Sequence, residues 1–262
     1  MSLDATGPYC VTVTELDDGS VEVLDSRRGD VERVDSHPLL GDADTGHGVL
    51  PLHDPVARAM ARFGDYRIPR TGTPYHDLLP AVLGQRVTAQ EALHQWRLIC
   101  TEFGRPVTVN GREMHAPPEP DVLAAVPFHR FHLMGVDRRR AAALRSVASH
   151  GDRLIGGWRP ELPAHERTAS LTLIDGVGVW TASVAGYTSF CDPDALEVGD
   201  FHVKNTVTFA LTGRHRGTDD EMCELLAPYA GERRRVVTWL GLAGWRAPAH
   251  GPRRRIVSIA RL

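Results

Sequence analysis

The sequence is poor in cysteine, has a single lysine and contains no long apolar run. Its four cysteines, Cys10, Cys100, Cys191 and Cys223, stand far apart in a chain of 262 residues. They lack the paired spacing of a structural zinc or iron–sulfur site. A cytosolic chain keeps its thiols reduced, so no disulfide framework is expected either. No stretch approaches the ~20 apolar residues that a membrane helix needs. The opening residues, MSLDATGPYCVTVTELDD, lack a basic stretch followed by an apolar core. They do not read as a secretory signal, and a cytoplasmic protein is expected. No internal repeat of 20–50 residues is visible. His129 and His132 are three apart on a possible helix, but no third metal ligand is evident.

What is present is enough apolar residue for a core, at 42% of the chain, and an uneven charge. The net charge is −3, which argues weakly against a nucleic-acid partner. Residues 1–60 hold twelve acids against four arginines, so the remainder carries a surplus of +5. Arginines cluster at Arg138–Arg140, Arg233–Arg235 and Arg253–Arg255. Such clusters read either as solvated helix faces or as a local phosphate-binding surface.

VTVTEL and VEVLDS flank the turn signal Asp17-Asp18-Gly19-Ser20, which predicts a β-hairpin within residues 9–35. Residues 36–75 are rich in Gly, Pro, His and Asp, with one short helix near 54–63. From about residue 76 the spacing is helical. Thr88 and Glu91 form a capping box, as do Thr218 and Glu221. Asp121 and Asp137 are candidate caps, and Arg233–Leu242 reads as a late helix. The fold class is mainly α (α+β overall). Residues 1–70 form a small N-terminal β-containing subdomain and residues 71–262 a helical domain.

The most informative segment is AHERTASLTLIDGVGVWTASVAGYTSF. It reads as a helix over Ala164–Leu173, a turn at Asp175-Gly176-Val177-Gly178, and a helix over Val179–Phe190. Two glycines at this spacing permit positive φ and close backbone approach. The free amides and dipole of the second helix then make an anion site that fits a DNA phosphate. An ordinary helical corner satisfies the same residues.

LTLIDGVGVWTA followed by LEVGDFHVKN resembles the helix–hairpin–helix (HhH-GPD) DNA glycosylases, in their alkyladenine (3-methyladenine, AlkA-like) branch. The family hairpin is of the type L-P-G-I-G-x-W-T-A, with an aspartate about twenty residues on. Here Asp200 follows Trp180 by twenty, and Asp175 stands where proline is usual. LLPAVLGQRVTAQEA resembles the family helix that ends in a G-Q-x-V-[ST] wedge loop. LMGVDRRRAAAL and PYAGERRRVVTWLGLAG resemble later family segments, so the resemblance covers roughly residues 50–262. It implies a helix–hairpin–helix glycosylase bundle with its hairpin at 172–180, acting as a monomer on double-stranded DNA with a damaged base, in the cytoplasm at the nucleoid.

The resemblance makes Asp200 the catalytic carboxylate. Cleaving an N-glycosidic bond builds positive charge on the sugar, which a carboxylate beside C1′ stabilises. Asp200 also has the chemistry of a helix N-cap. An extruded alkylpurine is cationic and favours electron-rich rings. Trp180, Trp239, Tyr187 and Phe131 are the candidate pocket aromatics, and Val184 stands where the family often has another. Gln85 and Arg86 of the wedge loop, the hairpin residues Gly176, Val177, Gly178 and Thr181, and Lys204 are the candidate DNA contacts. Arg86 would fill the gap left by the base. Lys204 would meet a phosphate or tune Asp200, or stand as a plain surface lysine. Bifunctional relatives carry a lysine where this chain has Trp180, so base release without strand cleavage is expected. No cofactor is required by this reading. The carbonyls of Thr172, Ile174 and Gly176 are candidate ligands of a monovalent cation, Na+ or K+, as in the family hairpin. The lesion expected is an alkylated purine of the 3-methyladenine or 7-methylguanine type. Hypoxanthine, a bulky adduct, or a non-enzymatic DNA-structure-binding module are the alternatives.

Overall fold

The computed structural model describes residues 2–4, 7–18, 20–25, 31–109 and 111–248. Gly19 of the expected turn and the basic run Arg253–Arg255 lie outside the described residues. Strands β1 (Ser2–Asp4) and β2 (Gly7–Tyr9) pair antiparallel. The expected hairpin is β3 (Val11–Glu15) with β4 (Val21–Asp25), in the register Val11↔Asp25 and Val13↔Val23. Asp18 Oδ1 accepts from Ser20 N at 2.9 Å, which tightens the turn by the route open to aspartate. β5 (Val31–Val34) adds antiparallel to the free edge of β4.

The helices follow. α1 (Asp54–Phe63) has proline in its first turn, where a missing N–H costs nothing, and buries Val56 and Ala59. α2 (Pro74–Leu83) ends where the sequence turns to Gly84. α3 (Ala89–Phe103) is capped by Thr88 Oγ1, which accepts from Glu91 N at 3.2 Å. A second hairpin that the sequence reading missed, β6 (Pro106–Val109) with β7 (Arg112–His115), separates α3 from α4 (Pro120–Ala125). Asp121 lies inside the first turn of α4 and does not cap it; Glu119 occupies the cap position. Then come α5 (Phe128–Leu133), α6 (Arg138–Ser149) and α7 (Gly151–Ile155). Asp137 caps α6 as expected, accepting from Arg139 N and Arg140 N. α8 (Ala164–Ser170) tightens into a 3-10 turn over Leu171–Leu173, and α9 (Val179–Ser189) follows. α10 (Phe201–Thr212), α11 (Asp219–Leu226) and α12 (Arg233–Leu242) complete the described body. Among the described residues no helix is long and apolar enough to cross a membrane.

The helices enclose two apolar cores. The first gathers Leu78, Leu79, Val82 and Leu83 of α2 with Ile99, Leu123, Phe131, Leu144 and Val147, and reaches Leu171, Ile174 and Val177 beside the hairpin. The second gathers Val56 and Ala59 of α1 with Val207, Met222, Leu226, Val236, Trp239 and Leu240. A small patch of Ile68, Tyr187 and Ala195 joins them. α1 and residues 37–70 therefore pack against α12, across the boundary expected near residue 70.

Each of two arginine clusters sends one side chain, Arg140 or Arg235, into the interior, while Arg138 and Arg139 stay exposed. Arg235 is fully buried and forms a bidentate pair with Asp44, at 2.7 and 2.8 Å, and a bond to Glu232. Arg233 pairs with Asp194, and Arg234 Nε stands 2.9 Å from Glu197 Oε1. Arg140, also buried, donates to the Leu83 and Gly135 carbonyls and to Gln95 Oε1. Arg140, Arg233, Arg234 and Arg235 are therefore engaged within the protein. Their partners lie up to 191 residues away, so the sequence hid the pairing.

Candidate active site

The hairpin is built around Gly176, whose φ of +83° is in the left-handed region. A Cβ there would also lie 2.5 Å from Ala143 Cβ of α6, so the turn needs glycine twice over. Gly178 differs. Its φ is −88°, and a Cβ would meet nothing within 4 Å. It is exposed, and it gives α9 no side-chain cap. The first-turn amides of α9 thus open outward from a backbone without a side chain, the arrangement that receives an anion. Leu173 and Val179 flank the tip and are exposed at 69% and 57%. Val177 is buried and ties the turn, its N–H donating to Ile174 O at 3.0 Å.

Gln85 holds the wedge loop to this hairpin. Its Nε2 donates to Gly176 O and to Thr181 Oγ1, both at 2.9 Å. Gln85 and the buried Thr181 side chain are therefore bonded to each other, and it is Arg86 that the loop turns away with a left-handed φ of +62°. That backbone is uncommon outside glycine and marks a loop held in an unusual shape. Two of the three candidate cation ligands already accept one hydrogen bond each: Gly176 O from Gln85, and Ile174 O from Val177. A carbonyl oxygen has a second lone pair, so the donor set still fits a monovalent cation.

Asp200 stands at the seam of the two cores, as the N-cap of α10. Its Oδ1 accepts from His202 N at 2.6 Å and Val203 N at 2.9 Å. Its Oδ2 accepts from Trp180 Nε1 at 3.0 Å. The cap reading of Asp200 holds: one oxygen caps the helix while the other faces the hairpin tryptophan. Gly84 lets that ring close in, since a Cβ there would sit 3.2 Å from Trp180 Cη2. The turn before Asp200 is fixed by Asp219, which accepts from Gly199 N at 2.9 Å and from Lys204 Nζ at 2.8 Å. Lys204 therefore reaches the aspartate that braces the site, and Asp200 takes its hydrogen bonds from elsewhere.

The expected aromatic pocket is only partly assembled. Trp239 is fully buried in the second core, edge-on to His47 at 4.5 Å between centroids. Phe131 is fully buried in the first core. Trp180 and Tyr187 remain together on one face of α9, seven residues apart and so about two turns. Arg234 lies over the Tyr187 ring, 4.5 Å from its centroid, and the Tyr187 hydroxyl bonds Thr238 Oγ1 at 3.1 Å.

Sequence reasoning missed Glu197. It is 7% exposed and three residues before Asp200, whose N–H donates to the Glu197 carbonyl at 3.1 Å. Its Oε1 lies at ion-pair distance from Arg234 Nε, but without hydrogen-bond alignment. Its Oε2 is buried and accepts no hydrogen bond. Burial pushes this carboxyl above the usual carboxylate range, Arg234 pulls it back, and the charge of Asp200 adds to the rise. A glutamate at this spacing carries no motif, so only the fold reveals it.

The fold is that of the helix–hairpin–helix DNA glycosylases. The 3-methyladenine DNA glycosylase of Archaeoglobus fulgidus matches with a TM-score of 0.63 at 16% identity, over 92% of this chain and 87% of that one. The apo form of Clostridium acetobutylicum 8-oxoguanine glycosylase/lyase also matches, with a TM-score of 0.63 at 16% identity over 88% of each chain. In sequence, the chain is 31% identical over 157 residues to a probable bifunctional transcriptional activator/DNA repair enzyme AlkA of Mycobacterium tuberculosis. That stretch covers 58% of this chain and 30% of the relative, so the chain spans about a third of the length of the protein it matches. No family model matches the chain.

Proposed function

We propose that this chain is a DNA glycosylase of base excision repair that removes a damaged base from double-stranded DNA, as a monomer, and leaves the strand intact. The observation that carries the reading is the 3.0 Å hydrogen bond from Trp180 to Asp200, which couples the hairpin to a carboxylate. The hairpin amides and Gly178 would seat a phosphate, and Arg86 would enter the gap as the nucleotide turns out. The carboxylate would stabilise the oxocarbenium character at C1′ as the N-glycosidic bond breaks and its electron pair leaves with the base. Water then adds to C1′. The carbonyls of Thr172, Ile174 and Gly176 would hold a monovalent cation, whose charge would steady the phosphate.

The strand should survive because the site lacks an amine. Trp180 occupies the hairpin position, and Lys204 is engaged by Asp219 at 2.8 Å. Incubation with lesion duplex and borohydride should trap no covalent complex. Asp200→Asn should lower base release about 10²–10³-fold. Asparagine also caps helices, so thermal stability should hardly move. Equal release by the variant would remove Asp200 from the mechanism. DNA binding without release from any lesion would make the protein a structure-binding module.

For the lesion, we take an alkylated purine of the 3-methyladenine or 7-methylguanine type, in line with the name of the structurally similar Archaeoglobus protein, a 3-methyladenine DNA glycosylase. A second reading, a neutral lesion such as hypoxanthine, is favoured by Arg234 lying over Tyr187.

A further inference from the structure

We propose that the open groove between α4, α5 and α6 docks an acidic segment of a partner protein, with an apolar side chain in the groove and carboxylates on Arg145 and Arg138. None of its lining residues belongs to the hairpin, the wedge loop or the Asp200 loop, so the inference goes beyond the glycosylase reading.

The groove follows from small residues. Ala142, Ser146 and Ser149 fall at spacings of four and three, which puts them on one face of α6. Ala124 of α4, Phe128 of α5 and Arg145 complete the lining. With no long side chain at the three α6 positions, a recess of about 400 Å³ stays open. Sites that receive ligands span roughly 300–1,000 Å³. Phe128 is left 37% exposed, so part of the apolar lining stands in water.

The charge at the groove has one sign. Arg145 is part of the lining, and no carboxylate is. Arg145 is held in place: its Nε donates to Ala124 O at 2.9 Å, and its guanidinium lies 5.1 Å from the Phe128 centroid. Among the described residues its two terminal nitrogens have no partner. An arginine fixed through Nε still offers those two donors as a fork, which matches the two oxygens of a carboxylate. Arg138 lies over the same ring at 5.6 Å, is exposed, and has no acidic partner among the described residues. The Ser146 hydroxyl is likewise unpaired among them. Nucleic acid shares the negative charge but fits less well. Single strands bind by stacking bases on open aromatic faces, and two guanidinium groups already lie over Phe128. Duplex phosphates need donors alone and would leave the apolar recess to water. A peptide answers both parts: a Leu or Phe side chain covers Ala124, Ala142 and the Phe128 edge, while the neighbouring acids meet the two arginines.

The test uses the full chain and a fluorescein-labelled peptide in which Leu-Phe is flanked on each side by Asp-Glu. Fluorescence anisotropy at low salt should show saturable binding that fades as salt is raised. Replacing the acids of the peptide by Lys, or its Leu-Phe by Ser-Ser, should each weaken binding about tenfold or more. Arg145→Gln should weaken it about tenfold, and so should Ala142→Gln, which lays a polar chain across the recess. Ala142 is exposed, so that variant should keep the wild-type thermal midpoint and leaves the inference open to refutation even if Arg145→Gln folds poorly. Both variants should bind undamaged duplex within about twofold of the wild type. No saturable binding by the wild type up to about 1 mM peptide overturns the inference. So does either control peptide binding as well as the acidic one, or binding that both variants retain in full. Variants that lose affinity for undamaged duplex would assign the groove to DNA and overturn it as well.

Discussion

Each of the two cores that meet at Asp200 is organised by one buried arginine, and the two arginines are satisfied differently. Arg140, in the first core, donates mostly to neutral acceptors: Leu83 O, Gly135 O and Gln95 Oε1. Its one bonded carboxylate, Asp137, is 47% exposed and can turn to water. Arg235, in the second core, is held by Asp44 and Glu232, and the Asp44 side chain is only 3% exposed. Burial alone would raise the Asp44 carboxyl, but the Arg235 hydrogen bonds hold it below its usual range. The first arginine stitches loops around the wedge and hairpin. The second welds the segment before α1 to the helix that clamps the Asp200 loop. The difference teaches that one lobe is joined by buried hydrogen bonds to mostly neutral acceptors, and the other by a buried pair of opposite charges.

Substituting the two arginines should expose that contrast most sharply. Arg235→Met leaves Asp44 charged and enclosed, and breaking such a pair costs about 3–5 kcal/mol. Arg140→Met leaves neutral carbonyls unpaired and should cost about 1–3 kcal/mol. Urea denaturation of both variants measures the difference. Equal losses would mean that the acidic partners of Arg235 relax into solvent and that the lobes are joined alike.

The same residues show how far the sequence could be read. Local signals succeeded because their partners are local. Thr88 and Thr218 cap as their boxes predict, each accepting from the glutamate three residues on. Asp200 was legible as a helix cap from its place before Phe201–Thr212, and the Gly176 turn from its glycines. The β6–β7 hairpin was missed although Asn110-Gly111 is a turn signal, because the strands beside it are only four residues each. Arg140, Arg234 and Arg235 read as basic surface because their acceptors lie 57, 37 and 191 residues off in the chain at Leu83, Glu197 and Asp44. Trp239 read as a pocket ring because its type, and not its face, was visible. Glu197 had no signal at all, since a lone glutamate acquires meaning only through burial.

Within the first lobe, the two hairpin glycines separate structure from contact. Gly176→Ala must adopt a positive φ and push against Ala143 Cβ, which a Cβ would approach to 2.5 Å. The expected loss is about 2–3 kcal/mol of stability, from strain and overpacking together. Gly178→Ala meets no neighbour and should stay within about 0.5 kcal/mol of the wild type. Its effect should fall on DNA affinity, because the methyl stands where a phosphate would approach. Thermal denaturation and duplex binding, measured on both variants, distinguish the two. A Gly178→Ala protein that binds as well as the wild type would mean that the turn does not meet DNA at that residue.

The smallest effect concerns the contact between the start of α2 and the end of α9. Asp77 accepts from Thr71 Oγ1 and Ser189 Oγ, each at 2.5 Å, in a half-buried position. Burial pushes its carboxyl up from 3.8 to about 6, more than the two hydroxyls bring it down. The folded chain therefore binds this proton more tightly than the unfolded chain does. The stabilisation is fully present below pH 3.8 and is lost as pH rises through about 6. Across that window the stability of the wild type should fall by on the order of 1–2 kcal/mol from this group. Asp77→Asn, neutral at every pH, should lack this fall, so the two stability curves should converge at the acid end and separate by pH 7. Curves that run parallel from pH 4 to 7 would place the Asp77 charge in water, and would leave Thr71 and Ser189 as ordinary donors to an exposed carboxylate.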